Sequence, residues 1–211
     1  MKVLVSCEYS GIVRDAFAER NHDAWSCDII PTERPGNHIE GDVLDVLADG
    51  WDLMIGHPPC RYLSYAASRV WNEPGRAEKR EKAFKFFMRL YDAPIPKVCI
   101  ENPHGVPRVW FRPPDQTIHP YFFGDPAVKR TCLWLRGLPC LEHLEQPGLF
   151  AEQTHIPKPK PSWIGPDGRA QYRTSVVKDP KERARFWPGV AHAMATAWGG
   201  ATSDELWGKK R

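Results

Sequence analysis

Apolar residues come in short runs separated by polar, glycine-containing turns, and the runs alternate between strand-like and helix-like spacing. Lys2 to Val5 is a short run rich in β-branched residues, followed by a polar turn and then a helical pattern from about Ile12 to Arg20. A second strand is predicted over Ala24 to Cys27, ending in Asp28, and a third around His38 and Ile39, running into Gly41-Asp42. Trp51 to Ile55 gives another strand, closed by Gly56-His57-Pro58-Pro59-Cys60. From Arg76 to Tyr91 charged residues come first and apolar ones follow at helical spacing, the pattern of an amphipathic helix. Val98 to Ile100 reads as a buried strand ending in Glu101-Asn102-Pro103, and Thr131 to Leu135 as a further strand. The last helix is expected to start near Pro180, and its run from Val190 to Trp198 is small and apolar enough to pack on a sheet.

Strands alternating with helices, with polar residues just after each strand's last apolar position, predict an α/β fold. The sheet is open and mostly parallel, and ligands are expected at the strands' C-terminal ends. Residues 138 to 179 are proline-rich and weakly periodic, and are read as a long excursion from one domain spanning 1–211. There is no internal repeat, and the basic Lys209-Lys210-Arg211 end reads as a solvated terminus.

Composition narrows the field. The 211 residues, 42% hydrophobic and 26% charged, suit one compact globular domain with a sizeable core. A formal charge of +3 is too small to mark a nucleic-acid binder by itself, so partners have to be argued from sites. No run approaches the roughly 18 apolar residues of a membrane span, and MKVLVSCEYS lacks the features of a signal peptide. The expectation is a soluble, cytoplasmic protein without a membrane partner. The six cysteines are scattered singly, with no CxxC pair or zinc-module spacing, so no metal is expected. Four of them sit in or beside apolar runs, where free Cys behaves as a small hydrophobe. The 21 prolines and nine tryptophans predict rigid loops and some exposed aromatic surface.

Cys60 differs from the other cysteines. Two prolines after a strand remove backbone donors and fix φ, so the following side chain is held on a defined course. A thiol presented there at a cleft rim, with Arg61 beside it to favour ionisation, suits a nucleophile. The plainer reading is a Pro-Pro turn with an incidental Cys. The stretch Gly56 to Ser64 closely resembles the Pro-Cys nucleophile motif of DNA cytosine-5 methyltransferases, G-G-P-P-C-Q-x-F-S, with His57, Arg61 and Leu63 as substitutions. Glu101-Asn102 resembles that family's Glu-Asn motif, Asp28 its ribose-binding acid, and Gly41-Asp42-Val43 its next cofactor-side motif. Arg183 to Ala195 loosely resembles its C-terminal helix motif, and Lys129-Arg130-Thr131 resembles its Gln-x-Arg-x-Arg motif in outline. The resemblance covers most of residues 1 to 135 and the last thirty or so.

What the resemblance implies is a Rossmann-like, S-adenosylmethionine-dependent methyltransferase fold with helices on both faces of the sheet. The implied activity is methyl transfer to cytosine C5 in DNA, as in restriction-modification or bacteriophage enzymes. Cys60, Glu101 and Arg130 would be catalytic. Cys7, Glu8, Ser10, Gly11, Asp28, Ile29, Asp42, Val43, His57 and Pro58 would hold the cofactor, and Arg61, Ser64, Asn102 and Lys129 the substrate. Cytosine C5 is a poor nucleophile, so Cys60 would add to C6, with Glu101 as an acid at N3. A base stacked in a duplex would have to be flipped out first. Methyltransferases acting on exocyclic amines carry Asp/Asn/Ser-Pro-Pro-aromatic instead, and here those positions hold His57 and Cys60.

The chain departs from the family in two places. Its first loop, Ser6-Cys7-Glu8-Tyr9-Ser10-Gly11, retains only the last glycine. Glu8 there either binds the donor's ammonium, signals an altered cofactor, or belongs to a tight polar turn. The 138–179 excursion stands where a target-recognition domain is expected. Its Lys158, Lys160, Trp163, Arg169, Tyr172 and Arg173 either grip nucleic acid or form a solvated loop. Low sequence specificity is therefore expected, or a partner or substrate that makes a recognition domain unnecessary. Three other readings remain: C5 modification of a free pyrimidine nucleotide or with a different donor, a non-catalytic DNA- or host-protein-binding module, and a nicotinamide-dependent oxidoreductase. The last is disfavoured because no G-x-G-x-x-G follows the first strand.

Overall fold

The computed structural model describes residues 1–143, 155–164, 166, 168, 170–172 and 185–200. Within them a seven-stranded sheet runs in the order β3-β2-β1-β4-β5-β7-β6. Its strands are β1 (Lys2–Ser6), β2 (Asp23–Asp28), β3 (His38–Glu40), β4 (Leu53–Gly56), β5 (Lys97–Pro103), β6 (Gln116–Ile118) and β7 (Thr131–Arg136). The first five pair in parallel, and β7 runs antiparallel to both β5 and β6. The helices are α1 (Ile12–Ala18), α2 (Arg76–Tyr91), α3 (Pro107–Trp110) and α4 (Pro188–Gly199).

The central strands β1, β4 and β5 are buried on both faces, as a parallel sheet between helices requires. Successive side chains point opposite ways, so Val3, Val5, Leu53, Ile55 and Cys99 pack with α1 and α4. Leu4, Met54, Val98 and Ile100 pack on the other face with Phe87 and Leu90 of α2. This is a Rossmann-like α/β fold. Its topological switch point lies between β1 and β4, whose following helices leave toward opposite faces, and ligands bind such sheets at that crevice.

The α2 boundaries match the expected ones, and the early strands agree to within one to three residues. β4 begins at Leu53 rather than Trp51, because Trp51 turns its indole N–H onto the Val46 carbonyl (2.7 Å). Two elements of the main sheet and its surroundings, β6 and α3, were not expected. The three residues of β6 are stabilised by pairing with β7, and α3 is a single turn.

The last helix does not start near Pro180. Residues 180–184 lie outside the described residues, and 185–187 are non-helical. Trp187 is extended (φ −93°, ψ 123°) because Pro188 disfavours the helical region for its predecessor and itself suits the first helical position. In the excursion, Trp163–Ile164 and Ala170–Gln171 form a two-residue hairpin pair, β8 and β9. Lys158 lies over the Tyr172 ring at 5.0 Å, while Arg169 and Arg173 lie outside the described residues, as do Arg183 and the C-terminal Lys209-Lys210-Arg211. Among the described residues no helix is long and apolar enough to cross a membrane, and no cluster of three metal-ligating side chains occurs.

Candidate active site

At the switch point the ends of β1, β2, β4 and β5 and the approach to β7 enclose a cleft of about 360 Å³. The β1 end sets its back wall. Cys7 has a positive φ of 58°, a conformation strained for a residue with a Cβ, and turns the chain toward α1. Withdrawal from water, with the nearby Asp28 charge, pushes the Cys7 thiol far up, so it is not a nucleophile. Glu8 lines the cleft, but its carboxylate is engaged elsewhere. Oε1 accepts the Val13 N–H (2.7 Å) and the Ser10 hydroxyl (3.2 Å), and Oε2 accepts the Arg14 N–H (3.2 Å). It therefore caps α1 with a buried anion, the place where unpaired helix N–H groups favour one. Of the three roles open to Glu8, the tight polar turn is the one the geometry shows. Gly11 starts α1 at φ 71°, and a Cβ there would stand 2.4 Å from Arg14 Nη2. Its freedom serves the burial of Arg14.

Cys60 is presented by a clamped loop. After Gly56 the His57 N–H still bonds the Ser6 carbonyl (2.9 Å), and Pro58-Pro59 then lead away from the sheet. The Cys60 carbonyl accepts the N–H groups of both Leu63 (3.0 Å) and Ser64 (2.9 Å), closing a turn. Asn102, almost fully buried, donates its amide to the Pro58 carbonyl (2.9 Å), so the expected substrate contact acts as a brace for this loop. The Val106 N–H bonds the Leu63 carbonyl (2.8 Å), and a Cβ at Gly105 would lie 1.9 Å from that oxygen. Gly105→Ala is therefore expected to push the Cys60 turn off the strand ends. The cost is about 1–3 kcal/mol, roughly 2–12 °C in a thermal melt for a chain of this size. A melt unchanged within about 1 °C would contradict this packing.

Opposite Cys60, Glu101 projects from β5 and is 7% exposed. His57 Nδ1–H donates to Glu101 Oε2 at 3.3 Å, and the His57 ring packs on Phe186 with centroids 4.6 Å apart. Burial alone pushes the Glu101 carboxyl up. The Lys129 charge and the His57 hydrogen bond outweigh it and hold the group below the usual carboxylate range, so Glu101 is ionised. The acid expected at this position is a carboxylate in the free protein. Cys60 lies exposed at the rim. Its partial withdrawal from water, and then the Glu101 charge, push the thiol up, and Lys129 pulls the other way. The cation that favours a thiolate is therefore Lys129, not the neighbouring Arg61, whose guanidinium lies over the Tyr62 ring (5.6 Å). Three polar atoms on the wall, Glu101 Oε1, His57 Nε2 and Asn102 Oδ1, are buried without a hydrogen-bond partner among the described residues. Such atoms are costly unless a ligand or water meets them.

The far end of the cleft is formed by Asp28, Ile29 and Ile30 after β2. Burial pushes the Asp28 carboxyl up against the Ile30 and Ile29 N–H groups, and Ile29 is 78% exposed. Asp42 and Val43 do not line the cleft. Asp42 accepts the Leu44 N–H (3.0 Å) and caps the short turn that follows, while Val43 is buried in the core on the α2 face. Arg130 is exposed outside the lining, where its charge acts on His104, His119 and Cys132, so of the two candidate cations Lys129 is the one in the cleft. Arg61 and Ser64 line a second, open hollow of about 570 Å³ on the other side of Cys60, together with Glu73 and Arg76. Unforeseen members of the cleft are Tyr9, Arg185 and Phe186. Arg185 is held by Glu33 (2.8 Å), and the return of 185–186 to the pocket was legible only in the loose C-terminal motif.

No family model matches the chain, and no curated protein matches it. Among solved structures, one described as a DNA modification methyltransferase encoded within an E. coli prophage superposes with a TM-score of 0.42 at 13% identity. The match covers 63% of this chain and 45% of that one, so the chain spans less than half of its length.

Proposed function

We propose that this chain transfers a methyl group from S-adenosylmethionine to C5 of cytosine in DNA, through a covalent bond between Cys60 and ring C6. One observation carries the reading. A single cleft at the switch point has Asp28 at one end and the clamped Cys60 with the buried Glu101 at the other, and polar atoms between them await a ligand. The Asp28 end fits the donor: a carboxylate suited to hydroxyl groups stands beside the exposed Ile29, which offers an apolar surface to a nucleoside ring. When bound, the donor supplies an electrophilic methyl group at a sulfonium.

The remaining work falls to the chain's own side chains. Lys129 favours the Cys60 thiolate and offsets charge that develops on the ring as sulfur adds. Glu101 meets the N3/N4 edge through Oε1, its oxygen without a partner. Asn102 and the Leu63–Gly105 contact hold the sulfur in place. Beyond Cys60, the exposed Arg61 in the open hollow suits the phosphates of the strand that delivers the base, while Arg76 braces it by donating to the Arg61 carbonyl (3.1 Å). The test is nucleoside mass spectrometry of cytosine-containing DNA incubated with protein and S-adenosylmethionine. A 5-methylcytosine signal that disappears in Cys60→Ala supports both reaction and nucleophile. No modified base from single-stranded or duplex DNA would turn attention to free pyrimidine nucleotides.

A further inference from the structure

Glu101 presents a chemical problem to the reading above, on which this inference rests. As the thiolate pair forms the Sγ–C6 bond, the C5–C6 π pair moves to C4–C5 and the C4–N3 pair moves onto N3, which then needs a proton. A carboxylate held ionised by Lys129 has none to give. We propose that His57 is the positioning residue that loads Glu101. As an imidazolium it passes its Nδ1 proton to Oε2, and the carboxyl protonates N3 from Oε1 as sulfur adds. When the C5 proton and the sulfur later depart, the N3 proton returns by the same path.

The geometry is that of a two-ended relay. His57 Nδ1 lies 3.3 Å from Oε2, while Nε2 at one end and Oε1 at the other are both buried without partners among the described residues. Stacking on Phe186 at 4.6 Å fixes the ring plane, and the His57 backbone N–H on Ser6 fixes its root. Neutral histidine will not serve, because giving up Nδ1–H would leave an imidazolate, so the charged form is required. Histidine is the side chain that changes charge near neutral pH. The other titratable or charged groups lining the cleft among the described residues are Glu101 on β5, Lys129 before β7, Arg185 before α4, Asp28 after β2, Cys7, Glu8 and Tyr9 after β1, and Cys60 on the same loop. A glycine at position 57, as in the motif the chain resembles, offers no such path.

His57→Gln keeps a donor toward Oε2 but has no proton to release. It is expected to retain iodoacetamide labelling of Cys60 while lowering single-turnover methyl transfer about 10²-fold. It should also abolish the fall in rate on the alkaline side of the wild-type profile. Independently of turnover, the Nδ1 and Nε2 nitrogen-15 resonances of His57 in the full chain should respond to Glu101→Gln across the neutral range. A His57→Gln protein with the wild-type profile and a rate within about twofold of it would overturn the relay, as would ring signals indifferent to Glu101→Gln. Absence of 5-methylcytosine from wild-type protein would instead remove the methyl-transfer reading, and the relay with it.

Discussion

Glu101→Gln is expected to move two properties of one site in opposite directions. The Glu101 charge is the second contribution, after withdrawal from water, that raises the Cys60 thiol, and Lys129 opposes both. Neutralising the carboxylate removes that contribution and leaves Lys129 unopposed by it. At fixed neutral pH the thiolate fraction therefore rises, and Cys60 should react faster with iodoacetamide. Methyl transfer should nevertheless fall by about 10²- to 10⁴-fold, roughly 3–5 kcal/mol of barrier, because an amide cannot protonate N3. A mutant that merely misfolds would lose methyl transfer while opening the buried thiols of Cys27, Cys99 and Cys132 to labelling as well, and one in which Glu101 is a surface cap would change neither rate. Rapid-quench methyl transfer and thiol labelling on one sample would decide; equal declines in the two rates would sink the assignment.

The two residues on which this prediction turns were both legible in the sequence, as was their meeting at strand ends. Cys60 follows the two prolines that end β4, and Glu101 continues β5, so parallel pairing of Gly56 with Ile100 brings their strand ends together. What the sequence could not convey is which neighbour each group would meet. Arg61 is adjacent in the chain, yet its side chain turns to Tyr62, whereas Lys129 reaches the cleft from the approach to β7, remote in sequence. Long-range pairing likewise created β6 and drew Phe186 onto His57. Local pattern carries information about strands and helices within one window, and side-chain partners across the switch point lie beyond it.

Arg14 shows the same limit from the side of stability. On the sequence it is one cation in the helical pattern of Ile12 to Arg20, yet it is 1% exposed. Its guanidinium meets Asp15 Oδ1 at 2.7 Å, the Ser26 and Thr32 hydroxyls at 3.3 Å each, and the Pro35 carbonyl at 3.0 Å. It thus ties α1 to β2 and to the loop that leads to β3. That loop begins with Ile29 and Ile30 of the cleft, and its Glu33 N–H bonds the Tyr9 carbonyl (2.9 Å) while its carboxylate holds Arg185. Gly36 makes room for the same group, since a Cβ there would lie 2.8 Å from the guanidinium carbon.

Arg14→Ala would leave the buried Ser26 hydroxyl and the partly buried acceptors around it without their donor and open a void in a close-packed region. The expected loss is about 3 kcal/mol, near the low end for breaking a buried ion pair because Asp15 keeps contact with water. For a chain of this size that lowers the melting temperature by roughly 6–12 °C. Arg14→Lys should recover only part of it, because an ammonium cannot reach the diverging acceptors that the planar fork meets. Since the tethered loop carries the Asp28 end of the cleft, where the proposed donor would sit, titration calorimetry with S-adenosylmethionine below the melting range is expected to show weaker binding. Cys60, held separately by Asn102 and Gly105, should keep its labelling rate. A melt within about 2 °C of wild type would mean that the Arg14 contacts do not support the loop, and the link from α1 to the cleft would have to be abandoned.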